Sequence, residues 1–215
     1  MTLGPSRLPD AKTTLVLDAS AALNLLGSGR PGDVLRVLGH DAVIVEEAAG
    51  EVERDPFGGP GAAAIAALAG TGLLRIAPLS STAYERFTDL VAAPSPDGLD
   101  DGEAATIAHA FDIGAAALLD ERKAERVARA TVRSLPVFTT LDLLSSPLLE
   151  AALGSGAVAD LVFSALRHAR MRVPQPFRSW VIGLVGPDRI CECPSIPRGW
   201  LAAPALARPP GEDNV

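Results

Sequence analysis

The sequence is poor in aromatic residues, lysine and cysteine, and it contains no long apolar run. Because a membrane-spanning helix needs about 20 mostly apolar residues, we expect no transmembrane segment and no membrane partner. The charged N-terminus lacks the apolar centre of a secretory signal peptide, so we expect a cytoplasmic protein. A Gly-Lys-Ser/Thr sequence is also missing, which excludes a phosphate-binding loop of the ATPase type.

The few cysteines and histidines do not form a recognisable metal site. Cys191 and Cys193 stand one residue apart in a loop-like stretch, and two thiolates are only half of a zinc site. We interpret them as an inert pair, with metal or redox use as the less favoured alternative. The three histidines are scattered along the chain and are interpreted as structural: His40, His109 and His168.

The charge of the chain limits how it can bind nucleic acid. A net charge of -7 at pH 7 and a pI near 5.0 argue against a protein that coats nucleic acid through its overall charge. Of the 19 basic residues, only Lys12 and Lys123 are lysines. Contact with a polyanion would therefore have to come from a local patch of arginines.

Apolar stretches of strand length alternate with helical patterns along the chain, which predicts an α/β fold with a parallel sheet. The predicted strands are at about 13–17, 42–45, 72–77, 115–119 and 135–138, and two late helices are predicted at roughly 140–152 and 156–169. We expect a folded domain over residues 13–172. Residues 1–12 are predicted to be a flexible N-terminus, and 173–215 a largely irregular C-terminal extension, because prolines and glycines break any period after Pro174.

Two aspartates each follow one of these strands. Asp18 ends the stretch TTLVLD, and Asp120 ends GAAALLD. Because the carboxyl ends of parallel strands share one edge of the sheet, both side chains are expected at the edge where such sheets bind ligands. Two carboxylates about 4 Å apart repel by roughly 4 kcal/mol at an effective dielectric near 20. A shared cation would remove that cost.

Two glutamates on predicted helices, Glu51 and Glu103, would complete an acidic cluster. Oxygen ligands without histidine or cysteine favour Mg²⁺ or Mn²⁺ over zinc. The alternative is that the glutamates are solvated and that the aspartates only cap helices. Asp101, as a substitute ligand or a helix N-cap, and Glu47, on the same helix face as Glu51, are further candidates.

The order of these four acids resembles that of a PIN domain, the small α/β nuclease fold of VapC-type toxin ribonucleases. The segments TLVLDASAALNLL, AVIVEEAAGEV, LDDGEAATIAHA and ALLDERKAERVA resemble the family segments that carry the acids, and they give Asp18, Glu51, Glu103 and Asp120 respectively. The likeness extends over about residues 13–170. It implies a three-layer α/β/α fold in which helices flank a parallel sheet of about four to five strands.

The resemblance also implies an activity. Asp18, Glu103 and Asp120 would hold one or two Mg²⁺ or Mn²⁺ ions, with Glu51 as a ligand or a water-orienting group, and RNA phosphodiester bonds would be hydrolysed. The protein would be the toxin of a type II toxin-antitoxin system, with a cognate antitoxin as partner and a homodimer as its oligomeric state. Two alternatives stay open: a catalytically weak module that binds nucleic acid or protein, and a nuclease for DNA or structured RNA outside a toxin system.

Several residues near the acids are candidates for binding the substrate. Ser20 and Thr140 fit hydroxyl positions near the acids, with Thr139 as the alternative to Thr140 and helix capping as the alternative role. An arginine stripe on the helix after Asp120 would track an RNA backbone or would form a solvated face: Arg122, Arg126, Arg129 and Arg133. A second basic group has the same two interpretations: Arg167, His168, Arg170 and Arg172.

Overall fold

The computed structural model describes residues 5–9, 11–94 and 98–200 of the chain. Within these residues, five strands form one sheet in which every neighbouring pair is parallel. The strands are β1 (Thr14–Leu17), β2 (Asp41–Val45), β3 (Leu74–Ala77), β4 (Ala116–Leu118) and β5 (Val137–Phe138). Helices flank the sheet. The predicted α/β fold with its parallel sheet of four to five strands is confirmed.

The order of the strands places β1 at the centre of the sheet. The order is β3-β2-β1-β4-β5, so the chain first moves from β1 outward to β3 and then returns to the other side of β1. Leu17 of β1 lies opposite Ile44 of β2 and Leu118 of β4. The carboxyl ends of β1 and β4 therefore form the topological switch point, where open α/β sheets bind their ligands.

The central strands are apolar because helices cover both faces of the sheet. β4 is buried throughout, and β1 and β2 are buried except at their first residues. Strands that are covered on both faces lack the alternation of apolar and polar residues seen in half-exposed strands. β3 lies at the edge, and there Arg75 and Ile76 are exposed.

Helices connect the strands and continue beyond the sheet. They are α1 (Ala19–Gly27), α2 (Pro31–Leu38), α3 (Glu46–Glu51), α4 (Gly61–Gly70), α5 (Ser81–Val91), α6 (Asp101–Asp112), α7 (Arg122–Thr131), α8 (Thr140–Leu144), α9 (Pro147–Leu153), α10 (Ser155–Ser164), α11 (Arg178–Val185) and α12 (Pro187–Ile190). A π-helical turn, Ala165–Ala169, continues α10, and Gln175–Phe177 and Arg198–Trp200 are 3₁₀ turns.

The helix α6 is enclosed along most of its length. It contacts β1, β2 and β4 of the sheet and packs against α3 and α5. Every residue from Gly102 to Ala110 is buried, and most of these residues are alanine or another small residue. Small side chains let the helix approach the sheet closely, and this holds the first turn of α6 near the carboxyl edge.

The prediction of one continuous helix at 140–152 is wrong, because two helices occupy this stretch. α8 ends at Leu144, and α9 starts with Pro147 as its first residue and Ser146 as its cap. Proline has no N–H to donate and clashes with the preceding turn, so it starts a helix far better than it continues one.

The described residues 173–200 contain more regular structure than the largely irregular extension that the sequence predicts. α11 and α12 lie there, and the apolar residues Phe177, Val181 and Val185 are buried in the main core. Their spacing of four residues is a helical stripe, which the surrounding prolines and glycines obscure in the sequence. Cys193 belongs to the same core, whereas Cys191 is exposed and both are free thiols.

The N-terminal segment also differs from the flexible chain that the sequence predicts. Arg7 forms a bidentate ion pair with the buried Asp142, with nitrogen–oxygen distances of 3.0 and 2.7 Å. Ser6 Oγ donates to the backbone oxygen of Asp142 at 2.7 Å. The described residues 5–9 are therefore attached to the start of α8.

Within the described residues, no single helix is long and apolar enough to cross a membrane. Only Pro147–Leu153 and Ser155–Ala169 taken together reach the required length and composition, and they are bent by 113° relative to each other.

Candidate active site

Asp18 lies directly after β1 and caps α1. Its Oδ1 accepts a hydrogen bond from the backbone N–H of Ala21 at 2.6 Å, and the Ser20 hydroxyl donates to both carboxylate oxygens at 3.0 and 3.1 Å. The side chain is almost completely buried. Burial raises the pKa of Asp18 well above its usual value, and the negative charge of Asp120 raises it further.

Asp120 lies two residues after β4 and is bound by three neutral donors. Asn24 Nδ2 donates to Oδ2 at 2.7 Å, the Thr140 N–H donates to Oδ1 at 2.9 Å, and the Thr140 hydroxyl also donates to Oδ2. Burial raises the pKa of Asp120, although the hydrogen bonds from Thr140 and Asn24 oppose that shift. The helices α1 and α8 thus orient this carboxylate.

The two aspartates form a buried acidic pair without a bound counter-charge. Among the residues that the structure describes, no lysine or arginine makes an ion pair with either carboxylate. The Arg172 Nε donates to the backbone oxygen of Asp120 at 2.7 Å, and the charge of Arg172 lowers the pKa of Asp120 only as the last of several causes. A pair of buried carboxylates therefore favours protonation or a cation.

Glu103 lies in the first turn of α6, where it forms a capping box with Asp100. Its Oε2 accepts from the Asp100 N–H at 3.4 Å and lies 3.5 Å from Lys123 Nζ. Burial, and then the neighbouring Asp100, raise the pKa of Glu103 to about 8. The charge of Glu103 contributes weakly to the raised pKa of Asp18, so this carboxylate lies near the aspartates.

Glu51, the last residue of α3, contacts the first turn of α6 rather than the aspartates. Its Oε1 accepts the N–H of Gly102 at 2.7 Å. A Cβ on Gly102 would overlap the Glu51 carboxylate in its present position, so glycine lets this carboxylate lie directly against the turn. Partial burial raises the pKa of Glu51, and the hydrogen bond from Gly102 opposes the shift.

A family model described as a PIN domain, DUF3368, matches residues 14–187 of this chain. The protein belongs to this PIN-domain family. No curated protein and no solved structure matches the chain. PIN domains are typically nucleases and commonly bind Mg²⁺. The matched region reaches beyond residue 172, the predicted end of the domain, and includes α11.

The hydroxyl candidates of this PIN domain are engaged with the acids to different degrees. Thr140 binds Asp120, whereas the neighbouring Thr139 binds Asp142, with Thr139 Oγ1 and Asp142 Oδ2 2.9 Å apart. Ser20 binds Asp18. Of the two threonines, only Thr140 therefore reaches an acid of the site, as the sequence favoured. A direct role of Ser20 or Thr140 in binding substrate stays a prediction.

The arginine stripe is less regular than the sequence predicts. Arg122, Arg126 and Arg129 lie on α7, but the helix ends at Thr131, so Arg133 lies outside it. Ala124, Val127 and Ala128 form the buried face as expected, whereas Thr131 is exposed. Arg129 Nη2 is bound by Glu125 Oε1 at 3.2 Å and by the Val137 oxygen at 3.1 Å.

The further acidic candidates occupy other places. Asp100, and not Asp101, is the N-cap of α6. Glu47 Oε2 is buried, and no hydrogen-bond partner for it lies among the described residues. His40 Nδ1 accepts the Thr13 N–H at 3.2 Å, which agrees with its structural interpretation.

Sequence reasoning missed two residues that contact the acids. Asn24 binds Asp120, and Lys123 approaches Glu103. The position of Asn24 carried a signal, since it is a polar residue between two leucines on a helix that is otherwise apolar after Ser20. Such a residue is buried only with a partner, and the strand-end acids are the nearest candidates. Lys123 carried the weaker signal of being one of only two lysines.

The donor set fits a hard divalent cation in part. Among the residues described, no group of three or more histidine, cysteine, aspartate or glutamate side chains is arranged to hold a metal. Mg²⁺ is commonly bound by one or two carboxylates and keeps several waters, which suits the Asp18 and Asp120 pair. The third ligand that the sequence predicts, Glu103, is occupied by Asp100 and Lys123 and stays a prediction.

Proposed function

We propose that this protein is a metal-dependent endoribonuclease that hydrolyses RNA phosphodiester bonds and acts as the toxin of a type II toxin-antitoxin system. The observation that carries the proposal is the buried pair of Asp18 and Asp120 at the carboxyl edge of the parallel sheet, where only neutral groups donate to their carboxylates. Membership of a PIN-domain family supports the nuclease activity.

Asp18 and Asp120 would hold the cation, Mg²⁺ or Mn²⁺. When bound, the cation supplies Lewis-acid chemistry, in which it makes a water more acidic and neutralises charge on phosphate oxygens. Asn24 and Thr140 hold the Asp120 carboxylate in one orientation, and Ser20 and the Ala21 N–H do the same for Asp18. Such fixed ligands lose little entropy when they bind.

Glu103 and Glu51 contribute through the first turn of α6. Glu51 binds this turn through Gly102, and the charge of Glu103 in the same turn raises the pKa of Asp18. For Glu103 to act as a third ligand, its carboxylate must leave the Asp100 N–H and Lys123. Lys123 would then be available for a phosphate oxygen.

Arginines beside the acidic pair would bind the RNA backbone. Arg122 follows Asp120 by two residues at the start of α7, and Arg126 and Arg129 continue along that helix. Positive side chains beside an acidic centre reduce the repulsion between the site and a polyanion. The toxin role, the cognate antitoxin, the homodimer and the cytoplasmic location are supported by the resemblance to VapC-type proteins and by the composition of the chain.

The direct test is cleavage of single-stranded RNA by the purified protein in Mn²⁺ and in Mg²⁺. We expect the wild type to cleave and Asp18→Asn and Asp120→Asn to lose about 100-fold in rate or more, because changing even the residues that orient metal ligands costs roughly 10- to 100-fold. Asp41→Asn is the matched control, because Asp41 is an exposed aspartate paired with Lys12 at the opposite end of the sheet. Cleavage that survives both site variants would contradict the metal mechanism.

A second candidate function is a PIN domain that binds RNA or a protein without efficient catalysis. The observation that favours it is the engagement of Glu103 with Lys123, which leaves two acids instead of three at the site. This candidate predicts RNA binding without cleavage in either metal. A single-stranded DNA of the same sequence and a structured RNA, assayed in parallel, test the further alternative of a nuclease with another substrate.

A further inference from the structure

A pocket of about 300 Å³ lies beside Asp120 and is lined by arginines from three distant parts of the chain. They are Arg7 of the N-terminal segment, Arg122 at the start of α7 and Arg172 after the π-helical turn. We call it the arginine pocket. Its volume corresponds to about ten water molecules, which is enough for a phosphate group and part of its hydration.

The charge of the arginine pocket is positive. Three arginines and one carboxylate, Glu125, line it. Asp142 lies behind Arg7 and neutralises part of that charge, but its side chain is fully buried and does not face the pocket opening. A site with an excess of guanidinium groups recognises an anion, and the planar guanidinium matches both phosphate and carboxylate groups. Phosphate is the anion that the proposed RNA substrate supplies.

Two of the three arginines are fixed by the fold. Arg7 is fixed by its bidentate pair with Asp142, and Arg172 by the bond from its Nε to the Asp120 oxygen at 2.7 Å. Arg172 Nη2 also lies 3.4 Å from Glu125 Oε2. Arginines that are already ordered lose less conformational entropy when a ligand binds.

The third arginine, Arg122, is exposed, and within the described residues it makes no ion pair. It is the side chain that can close over an anion in the pocket. Its neighbour across the pocket, Thr139, precedes the residue that binds the Asp120 carboxylate. The pocket and the acidic pair are therefore joined through Asp120 and the start of α8.

We propose that the arginine pocket binds one internal phosphate of a single-stranded RNA, next to the phosphodiester that lies at the acidic pair. This inference rests on the proposed function, because it assumes that RNA is the ligand at Asp18 and Asp120. It adds Arg7 and Arg172 to the RNA-binding surface and gives Arg122 a defined partner. The pocket thereby sets the register of the strand relative to the acidic pair.

The test measures binding of a short fluorescein-labelled RNA, without a terminal phosphate, to the full chain in EDTA across a salt series. For single strands, log K falls with log salt by about 0.7 for each phosphate contacted. We expect Arg122→Gln to weaken binding about tenfold at low salt and to reduce the slope by about 0.7. Arg36→Gln, an exposed arginine of α2 bound to Asp33, is the matched control and should leave both values unchanged.

A double-mutant cycle shows whether the arginines share one phosphate. Arg172→Gln and the combination with Arg122→Gln should each reduce the slope by no more than Arg122→Gln alone, because all three changes remove the same contact. Thermal unfolding of each variant is recorded first. If Arg172→Gln unfolds, Arg7→Gln replaces it in the cycle, because Arg7 lines the same pocket and Asp142 keeps its hydrogen bonds from Thr139.

The outcomes separate this inference from the proposed function. If Arg122→Gln and Arg172→Gln keep the wild-type slope of log K against log salt and still bind and cleave RNA, the phosphate-binding role of the arginine pocket is overturned. The proposed ribonuclease activity would be unaffected. Binding that depends on Arg122 and Arg172 as one shared contact, without any cleavage in Mn²⁺, would support the pocket and contradict the ribonuclease. Dependence on Arg122 that appears only with 5′-phosphorylated RNA would show a terminal-phosphate site and overturn the internal-phosphate assignment.

Discussion

The negative charge of Asp120 raises the pKa of Asp18 across the boundary between two neighbouring parallel strands. Burial raises the pKa of both side chains, so two ionised acids in this enclosed place lower the stability of the metal-free protein. The hydrogen bonds to the two carboxylates come from neutral groups, which orient the carboxylates but do not neutralise their charge. The stability of the fold and the proposed chemistry are thus coupled at one pair of residues.

Asp18→Asn should stabilise the metal-free protein and remove the proposed nuclease activity. Asparagine keeps an oxygen for the Ala21 N–H, and it caps helices about as well as aspartate, while the repulsion with Asp120 disappears. We expect a gain of about 1 kcal/mol in the free energy of unfolding, or roughly 2–4 °C in melting temperature. Thermal unfolding in EDTA measures the gain, and Asp41→Asn should show none. A lower melting temperature for Asp18→Asn would contradict the repulsion.

Mg²⁺ or Mn²⁺ should raise the melting temperature of the wild type. A cation at 100 times its dissociation constant adds about 2.7 kcal/mol to the free energy of unfolding, because it binds the folded state only. For a chain of this length the shift is roughly 5–10 °C. EDTA should reverse it, and Asp120→Asn should reduce it strongly. An equal shift in wild type and Asp120→Asn would place the cation elsewhere.

Thr140→Val should cost stability and activity, whereas Thr140→Ser should preserve most of both. Thr140 is fully buried, and valine has nearly its shape but no hydroxyl for Asp120. Loss of a buried hydrogen bond to a charged group costs about 2 kcal/mol. Urea unfolding measures the cost. Thr131→Val is the control, because Thr131 is exposed and its hydroxyl binds only the Val127 oxygen of its own helix.

The stability of the metal-free protein should fall as the pH rises toward 8. The pKa of Glu103 is about 8 in the folded state and near 4.5 in the unfolded chain. The stability that Glu103 contributes is therefore fully present below about 4.5 and is lost as the pH rises through 8, by at most about 1.4 kcal/mol per pH unit. Asp18 and Asp120, whose pKa values are also raised, act in the same direction.

Urea midpoints in EDTA between about pH 6.5 and 8.5 test this slope, and Glu103→Gln should flatten it. Burial lowers the pKa of His40 and His109, so their titration destabilises the protein as the pH falls below the usual histidine value near 6.5. Their effect therefore lies below the pH range of this test. The same slope in wild type and Glu103→Gln would show that Glu103 does not titrate as described.

Phe177→Ala should destabilise the protein by about 3–5 kcal/mol, because it leaves a cavity in the core. Phe177 is 2% exposed and packs with the main hydrophobic core, although it lies in the segment predicted to be irregular. Tyr84→Ala is the control, since the Tyr84 side chain is 58% exposed. A cost for Phe177→Ala as small as that of the control would show that residues after Pro174 are not part of the folded domain.

The acids that follow strands were predictable from the sequence, and the partners of the acids were not. An aspartate after an apolar stretch marks the end of a parallel strand, and the strand order then places Asp18 beside Asp120. Asn24 and Arg172, 96 and 52 residues away from Asp120, reach it only because α1 and the segment after the π-helical turn fold back over the sheet.

Hydrophobic periodicity also gave wrong helix boundaries in stretches that contain proline. Pro147 divides a helical pattern into α8 and α9, and the prolines around Phe177 conceal a helical stripe with a spacing of four residues. The helix predicted at 140–152 is divided because proline cannot continue a helix. The helical stripe that includes Phe177 was missed because the prolines and glycines were given more weight than the spacing of the apolar residues between them.

The sequence by itself determined the α/β class, the parallel sheet and the two strand-end aspartates, because hydrophobic periodicity and strand ends are local properties. Only the tertiary structure decided how the acids are paired and what surrounds them. It paired Asp18 with Asp120, bound Glu103 to Lys123 and Glu51 to Gly102, and brought Arg7, Arg122 and Arg172 into one pocket. Charge interactions and burial depend on distances between segments far apart in the chain, and those distances are set by packing.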